Sequence, residues 1–222
     1  MIKSKLMKVY VILPVKNLSQ SKTRLSSILN SKEREALSLM MLKDVLKALS
    51  LAKKIEETIV ISSDLTVLNL YKEFNFKPLI ESAKENLNSA INEAIQFSLS
   101  EGAQAVLILP SDIPLIKPED INTVINECEE PSSVIISPSK RGDGTNALLL
   151  YPPTILNVAY GENSFNIHVE RALKAGAKLK VIKLFRIALD IDTIEDLKEL
   201  IKLGNNTLTK NFLIKLGFSF RI

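Results

Sequence analysis

The stretch LDIDTIEDL, residues 189–197, sets Asp190 and Asp192 two apart among apolar residues and just ahead of a helical pattern. On a strand, alternate residues share a face, so this spacing puts both carboxylates on one side. Like charges held that close repel and raise each other's pKa unless something positive lies between them. Two readings are open. One aspartate caps the following helix while the other is solvated, or the pair holds a divalent metal ion.

Four other polar segments carry residue types suited to chemistry. PVKNLSQSKTRL (14–25) holds Lys16, Lys22 and Arg24, with no acidic residue before Glu33. It contains neither G-x-x-x-x-G-K-[ST] nor G-x-G-x-x-G, so it is neither a P-loop nor a dinucleotide fingerprint. Three cations after a strand suit a polyphosphate, with lysines as point charges and arginine as a fork, or form a solvated basic loop. In LPSDIPL (109–115), Asp112 follows an almost wholly apolar run and sits on a turn stiffened by two prolines. It is a rigidly presented metal ligand or part of an ordinary Asp-Pro turn.

In SKRGDGTNALLL (139–150), Gly142 and Gly144 permit close backbone approach, so amides from Thr145 and its neighbours could hold an anion. The alternative is a plain hairpin with Asp-Gly in its turn. YGENSFNIHVERAL (160–173) places Gly161 and Ser164 at the opening of a helix, either an anion site or ordinary capping by Asn163 or Ser164. His168 is the sole histidine and has no cysteine or histidine at ligand spacing, which argues against zinc. It is expected to pack or to orient a neighbour.

The elements that must position these residues alternate. Strand patterns are expected at 8–15, 57–62, 77–80, 104–110, 132–138, 145–152, 178–184 and 188–192. Helical patterns are expected at 31–52 with Ser31 as N-cap, and at 64–74, 87–102, 117–130, 164–176 and 193–204, with a terminal helix in the tail. Four β–α units in succession predict an α/β fold: a doubly wound, mostly parallel sheet with helices on both faces. The later hairpin breaks the rhythm. Ligands bind such sheets beyond the carboxyl ends of the strands, where the polar segments fall.

The bulk numbers exclude several classes. The chain has 222 residues, ample for one core, so residues 1–222 are expected to form a single domain with 205–222 as a packed extension. Its apolar runs are too short to span a bilayer, so no membrane role is expected. One cysteine, Cys128, suits a reducing cytoplasm. The net charge of +4 comes from dispersed lysines, which does not suit nucleic acid.

Order and spacing of the segments together are specific. PVKNLSQSKTRL, LPSDIPL, GDGTNALLLYPP, YGENSFNIHVERA and LDIDTIEDL resemble the 2-phospho-L-lactate guanylyltransferase family of deazaflavin coenzyme F-420 biosynthesis, from about Val9 to Leu200. The resemblance implies a nucleotide-diphospho-sugar-transferase-like fold and transfer of GMP from GTP to a three-carbon phospho-acid, releasing pyrophosphate. It implies that Asp112, Asp190 and Asp192 bind two magnesium ions, and that Thr145, Gly161 and Ser164 hold the phospho-acid. Lys16, Lys22 and Arg24 would face the triphosphate. Ser62, Ser63 and the NLNSAI stretch (86–91), Asn88 within it, would lie near the base. A homodimer is a further family-level expectation.

The chemistry agrees with that reading. Joining two anions requires charge neutralisation, and the substrate phosphate is itself the nucleophile, so the protein need only position and stabilise. Phosphoenolpyruvate or 3-phosphoglycerate as acceptor, and a non-catalytic nucleotide-binding module, are the alternatives. A molybdopterin or sugar-phosphate acceptor is disfavoured by the lack of an L-x-G-G-type loop after the first strand.

Overall fold

A computed structural model describes residues 7–82 and 86–218. In chain order the elements are β1 (Val9–Pro14), α1 (Ser31–Leu51), β2 (Glu57–Ser62), α2 (Leu65–Leu68), β3 (Lys77–Ile80), α3 (Leu87–Ser100), β4 (Ala105–Ile108) and α4 (Pro118–Asn126). They continue with β5 (Ser133–Pro138), β6 (Thr145–Tyr151), α5 (Ser164–Lys174), β7 (Lys178–Val181), α6 (Phe185–Ala188), α7 (Ile194–Leu203) and α8 (Leu208–Lys215). The strands form one seven-stranded sheet in the order β3-β2-β1-β4-β6-β5-β7.

Strands β3, β2, β1 and β4 are mutually parallel, and β7 is parallel to β5. Only β6 runs the other way, antiparallel to both β4 and β5. The expected doubly wound, mostly parallel sheet is therefore present. Alternation along the strands divides the core. Val9, Val11, Leu13, Leu107 and Leu149 meet α1 and α4 on one face, while Tyr10, Ile12, Ile108 and Leu148 meet α3 and α5 on the other. Both faces are covered, so the central strands are almost wholly apolar.

The order of connection fixes where a ligand can enter. From β1 the chain winds outward through β2 to β3, then returns to place β4 on the opposite side of β1. The crevice beyond the carboxyl ends of β1 and β4 is the switch point of the sheet. Because β6 is antiparallel, with Leu148 opposite Ile108, its first residue Thr145 arrives at this same edge.

Four expectations are corrected. The cap of α1 is Asn30, not Ser31: Asn30 Oδ1 accepts from Glu33 N at 3.1 Å, and Glu33 Oε2 accepts from Asn30 N at 2.8 Å. Residues 64–74 form short α2 and a 3₁₀ turn, because the Asn69 N–H is shared between the Leu65 and Val67 carbonyls. Helix α4 stops at Asn126, ahead of the acids Glu127, Glu129 and Glu130, which a helix C-terminus disfavours. Residues 188–192 are not a strand. They leave α6 beyond the sheet, where no strand among the described residues pairs with them, and the Ile191 N–H bonds the Asp112 carbonyl at 3.0 Å.

A third apolar cluster lies under the carboxyl-end loops and joins Leu25, Leu29, Leu37, Met41, Leu189, Ile191, Leu200 and Leu213. The tail reaches it through α8. Buried Asp44 on α1 accepts from Leu208 N at 2.8 Å, Thr209 N at 2.9 Å and Thr209 Oγ1 at 2.6 Å. Asp44→Ala removes all three bonds and should cost about 2–4 kcal/mol in urea unfolding, with early proteolysis at α8. A loss under 0.5 kcal/mol would mean that the helix is held by packing alone.

Candidate active site

The basic loop after β1 is shaped by two short 3₁₀ turns, Leu18–Gln20 and Thr23–Leu25. Asn17 caps the first, and Leu18 N donates to Asp64 Oδ2 at 3.1 Å, tying the loop to the end of β2. Lys22 stands between the turns in the left-handed conformation, φ 55°. A lysine seldom adopts that conformation. Here it sends the side chain inward, leaving it 6% exposed.

The Lys22 ammonium lies between two of the three aspartates. It bonds Asp112 Oδ2 and, at 2.9 Å, Asp192 Oδ1. Arg24, largely exposed, approaches Asp192 Oδ2 at 3.5 Å. Burial alone would lower the Lys22 pKa, but the two carboxylates hold it above the usual lysine range. Burial would raise Asp192, but Lys22 and Arg24 outweigh it, so its pKa lies below the usual range.

Asp190 differs. Its Oδ1 accepts from Asn146 Nδ2 at 3.1 Å, and among the described residues no cation bonds it. Burial and the nearby Asp112 charge raise its pKa. The same Asn146 amide donates to the Ile187 and Ala188 carbonyls at 3.0 and 3.1 Å. On the far side of α6, Arg186 makes a two-pronged pair with Asp120 on α4. Leu189 and Ile191 are wholly buried on either side of Asp190. The alternation seen in the sequence thus sorts apolar from acidic side chains, without a strand.

Among the described residues, no group of three or more histidine, cysteine, aspartate or glutamate side chains converges to hold a metal ion. The cation between Asp112 and Asp192 is the chain's own lysine. The donors nevertheless suit a hard ion: magnesium commonly takes one or two carboxylates and completes its shell with phosphate oxygens and water.

Two adjoining cavities open at the switch point. One of about 420 Å³ is lined by Lys16, Lys22, Asp112, Thr145, Tyr160 and Asp192 among others. The second, about 620 Å³, is lined by Ser63, Glu81, Asn86, Asn88, Tyr160 and Gly161 among others. Lys16, Gln20, Leu87 and Tyr160 belong to both, so the two form a continuous groove.

Several expected residues sit differently from the sequence reading. Thr145 lines the first cavity, but its amide donates to Ser164 Oγ at 3.1 Å and the neighbouring Gly144 amide to Ser139 Oγ, so both amides are already paired within the chain. Ser164 is buried behind Thr145. Ser62 is buried too, its Oγ accepting from Asp64 N at 3.0 Å, while Ser63 reaches the second cavity. The Asn88 amide grips the backbone of Tyr160, accepting from its N at 2.7 Å and donating to its O at 2.9 Å.

Sequence reading did not single out Asn146 or Tyr160. Asn146 looked like one more strand residue, and Tyr160 was visible only as the residue before Gly161. The Tyr160 hydroxyl is enclosed with no partner among the described residues, and burial raises its pKa far above the ordinary value. His168 is fully buried beside it. Its Nδ1 meets Thr145 Oγ1 at 2.9 Å and its Nε2 accepts from Ala159 N at 2.8 Å. Burial and the Arg171 charge push its pKa down to about 4.

Known proteins resemble this chain over most of its length. The family model described as "Guanylyl transferase CofC like" matches residues 9–222. The 2-phospho-L-lactate guanylyltransferase of Methanothermobacter thermautotrophicus is 37% identical over 97% of this chain and 94% of its own. The phosphoenolpyruvate guanylyltransferase of Rubrobacter xylanophilus is 37% identical over 87% of this chain and 94% of its own. A crystal structure described as a nucleotide-diphospho-sugar transferase from Desulfovibrio desulfuricans G20 superposes with a TM-score of 0.78. It is 17% identical and covers 95% of this chain and 96% of that one, so it speaks for the fold alone.

The depressed His168 pKa has a consequence for stability. The unfolded chain takes up a proton near pH 6.5, which the folded chain refuses until about pH 4. Stability from this group is complete above pH 6.5 and is lost as pH falls towards 4, by about 3 kcal/mol. The imidazole resonance of the native protein should stay constant from pH 8 to about 5. Titration near 6.5 in the folded state would show that the ring is not enclosed.

Proposed function

The chain belongs to the CofC-like guanylyl transferase family, and from that premise we propose that it transfers GMP from GTP to 2-phospho-L-lactate, releasing pyrophosphate, in coenzyme F-420 biosynthesis. The observation that carries this reading is the continuous groove at the switch point, cationic and acidic at one end and open beside Asn86–Asn88 at the other.

In the reaction, a phosphate oxygen of the acceptor attacks the α-phosphorus of GTP as the bond to the bridging oxygen of the β-phosphate breaks. Lys16, Lys22 and Arg24 draw the triphosphate into the first cavity and offset the charge that builds on the departing pyrophosphate. Thr145 binds the acceptor, with Ser164 holding the Thr145 backbone and Gly161 contributing from the adjoining second cavity. The base occupies the second cavity near Ser63 and Asn86, which Ser62 and Asn88 shape from behind. Asp112, Asp190 and Asp192, which do not converge as a three-carboxylate group by themselves, would hold magnesium together with phosphate oxygens and water, and the ion would supply Lewis-acid stabilisation of phosphate oxygens. No protein nucleophile takes part. Residues 1–222 act as one nucleotidyltransferase domain with 205–222 as its extension, in the cytoplasm and as a homodimer, free of nucleic acid and membrane.

A second acceptor has a specific observation behind it. The relative named for phosphoenolpyruvate is as similar to this chain as the one named for 2-phospho-L-lactate, at 37% identity each. The two acids differ only by hydrogenation of the carbon–carbon double bond next to the carboxylate, so overall likeness does not choose between them.

Purified protein with GTP, magnesium and 2-phospho-L-lactate should release pyrophosphate. Competing phosphoenolpyruvate and 3-phosphoglycerate in the same pot, with products weighed by mass spectrometry, ranks the acceptors. Silence with all three would end the proposal. Asp192→Asn should lower turnover by about 100-fold or more while the protein still folds, with a lower melting temperature because buried Lys22 loses one of its two carboxylates. Near wild-type turnover at saturating magnesium would remove Asp192 from the mechanism.

A further inference from the structure

The two nitrogens of His168 meet partners of different kinds. At Nε2 stands the backbone N–H of Ala159, 2.8 Å away, a group that can only donate. Nε2 must therefore present its lone pair. A ring buried this completely is neutral, and a neutral imidazole with a bare Nε2 carries its proton on Nδ1. Nδ1 lies 2.9 Å from Thr145 Oγ1, so the hydroxyl is the acceptor in that bond. No other hydrogen bond to Thr145 Oγ1 is made among the described residues, and Thr145 lines the first cavity beside Lys22 and Asp112. The hydroxyl proton is thus left to point towards the cavity.

We infer that His168 is a positioning residue, whose tautomer, set by the Ala159 N–H, turns the Thr145 hydroxyl into an obligatory donor for an oxyanion of the acceptor. The Thr145 backbone is locked in parallel by its bond to Ser164 Oγ. The Tyr160 ring packs edge-on against the imidazole, with centroids 5.0 Å apart and planes at 67°. A donor of this kind favours an anionic oxygen, the stronger acceptor, over a neutral hydroxyl, and disfavours an apolar group, which would leave the O–H unpaired. The ligand class is a phosphate or carboxylate oxygen. This selective role rests on the acceptor reading above; the tautomer does not.

The chain has a single histidine, so long-range ¹H–¹⁵N correlation spectra of untagged, ¹⁵N-labelled protein report one ring. At pH 7 the spectrum should show Nδ1 protonated and Nε2 bare. An Nε2–H tautomer or an imidazolium overturns the inference, whatever the enzyme turns over. Kinetics of three variants, with melting temperatures alongside, read the function. His168→Asn keeps an amide donor near the Nδ1 position, His168→Gln keeps only an acceptor near Nε2, and Thr145→Val removes the hydroxyl. His168→Gln and Thr145→Val should each raise the KM of the phospho-acid about tenfold, leave that of GTP within about twofold, and combine without adding. His168→Asn should remain within about threefold of the wild type. Equal rises for both substrates, or fully additive effects, would reduce His168 to a packing residue. Wild-type inactivity towards every phospho-acid would instead remove the reaction itself, while the spectrum still decides the tautomer.

Discussion

A buried ammonium shared by two carboxylates organises the carboxyl-end surface of this protein. Lys22, Asp112 and Asp192 come from widely separated parts of the chain, and none could be enclosed alone without a large desolvation cost. Each makes the position of the others tolerable. Stability is a weak reason to build such a group, since apolar side chains of similar volume would serve the core as well. Its value is positional. It draws the basic loop, the turn after β4 and the segment after α6 to one point, where the field changes sign within a few ångströms.

The sheet makes that convergence possible. The switch between β1 and β4 leaves a crevice flanked by α1 and α3, and the antiparallel strand β6 delivers Thr145 into it from the opposite chain direction. Behind Thr145 a small polar core of Ser164, His168 and the Ala159 amide is wholly paired, which is how polar groups survive among the apolar side chains of β6 and α5. The Tyr160 hydroxyl is the exception, enclosed without a partner where the two cavities meet.

Support for the acidic segment comes from beneath and behind. Leu189 and Ile191 are anchored in the third apolar cluster, which α8 completes through Leu213. Asn146 holds the carbonyls just before Asp190, and Arg186 pins α6 to α4. The tail is thus continuous with the floor of the candidate site, and Asp44 is the pin between them.

By itself the sequence determined the alternation of strands and helices, the two-faced sheet and the segments that gather at its carboxyl edge. These follow from periodicity and turn chemistry, which act over a few residues. It also marked Lys16, Lys22, Arg24, Asp112, Thr145, Asp190 and Asp192 as residues of one region, through their order and spacing. What each polar atom faces was decided only by the tertiary structure. Lys22 lies between Asp112 and Asp192, Asn88 holds Tyr160, and residues 188–192 leave the sheet instead of joining it. Hydrogen bonds and ion pairs form between groups tens to more than a hundred residues apart. Their partners depend on which loops the folded sheet brings within about 3 Å, a distance no local pattern encodes.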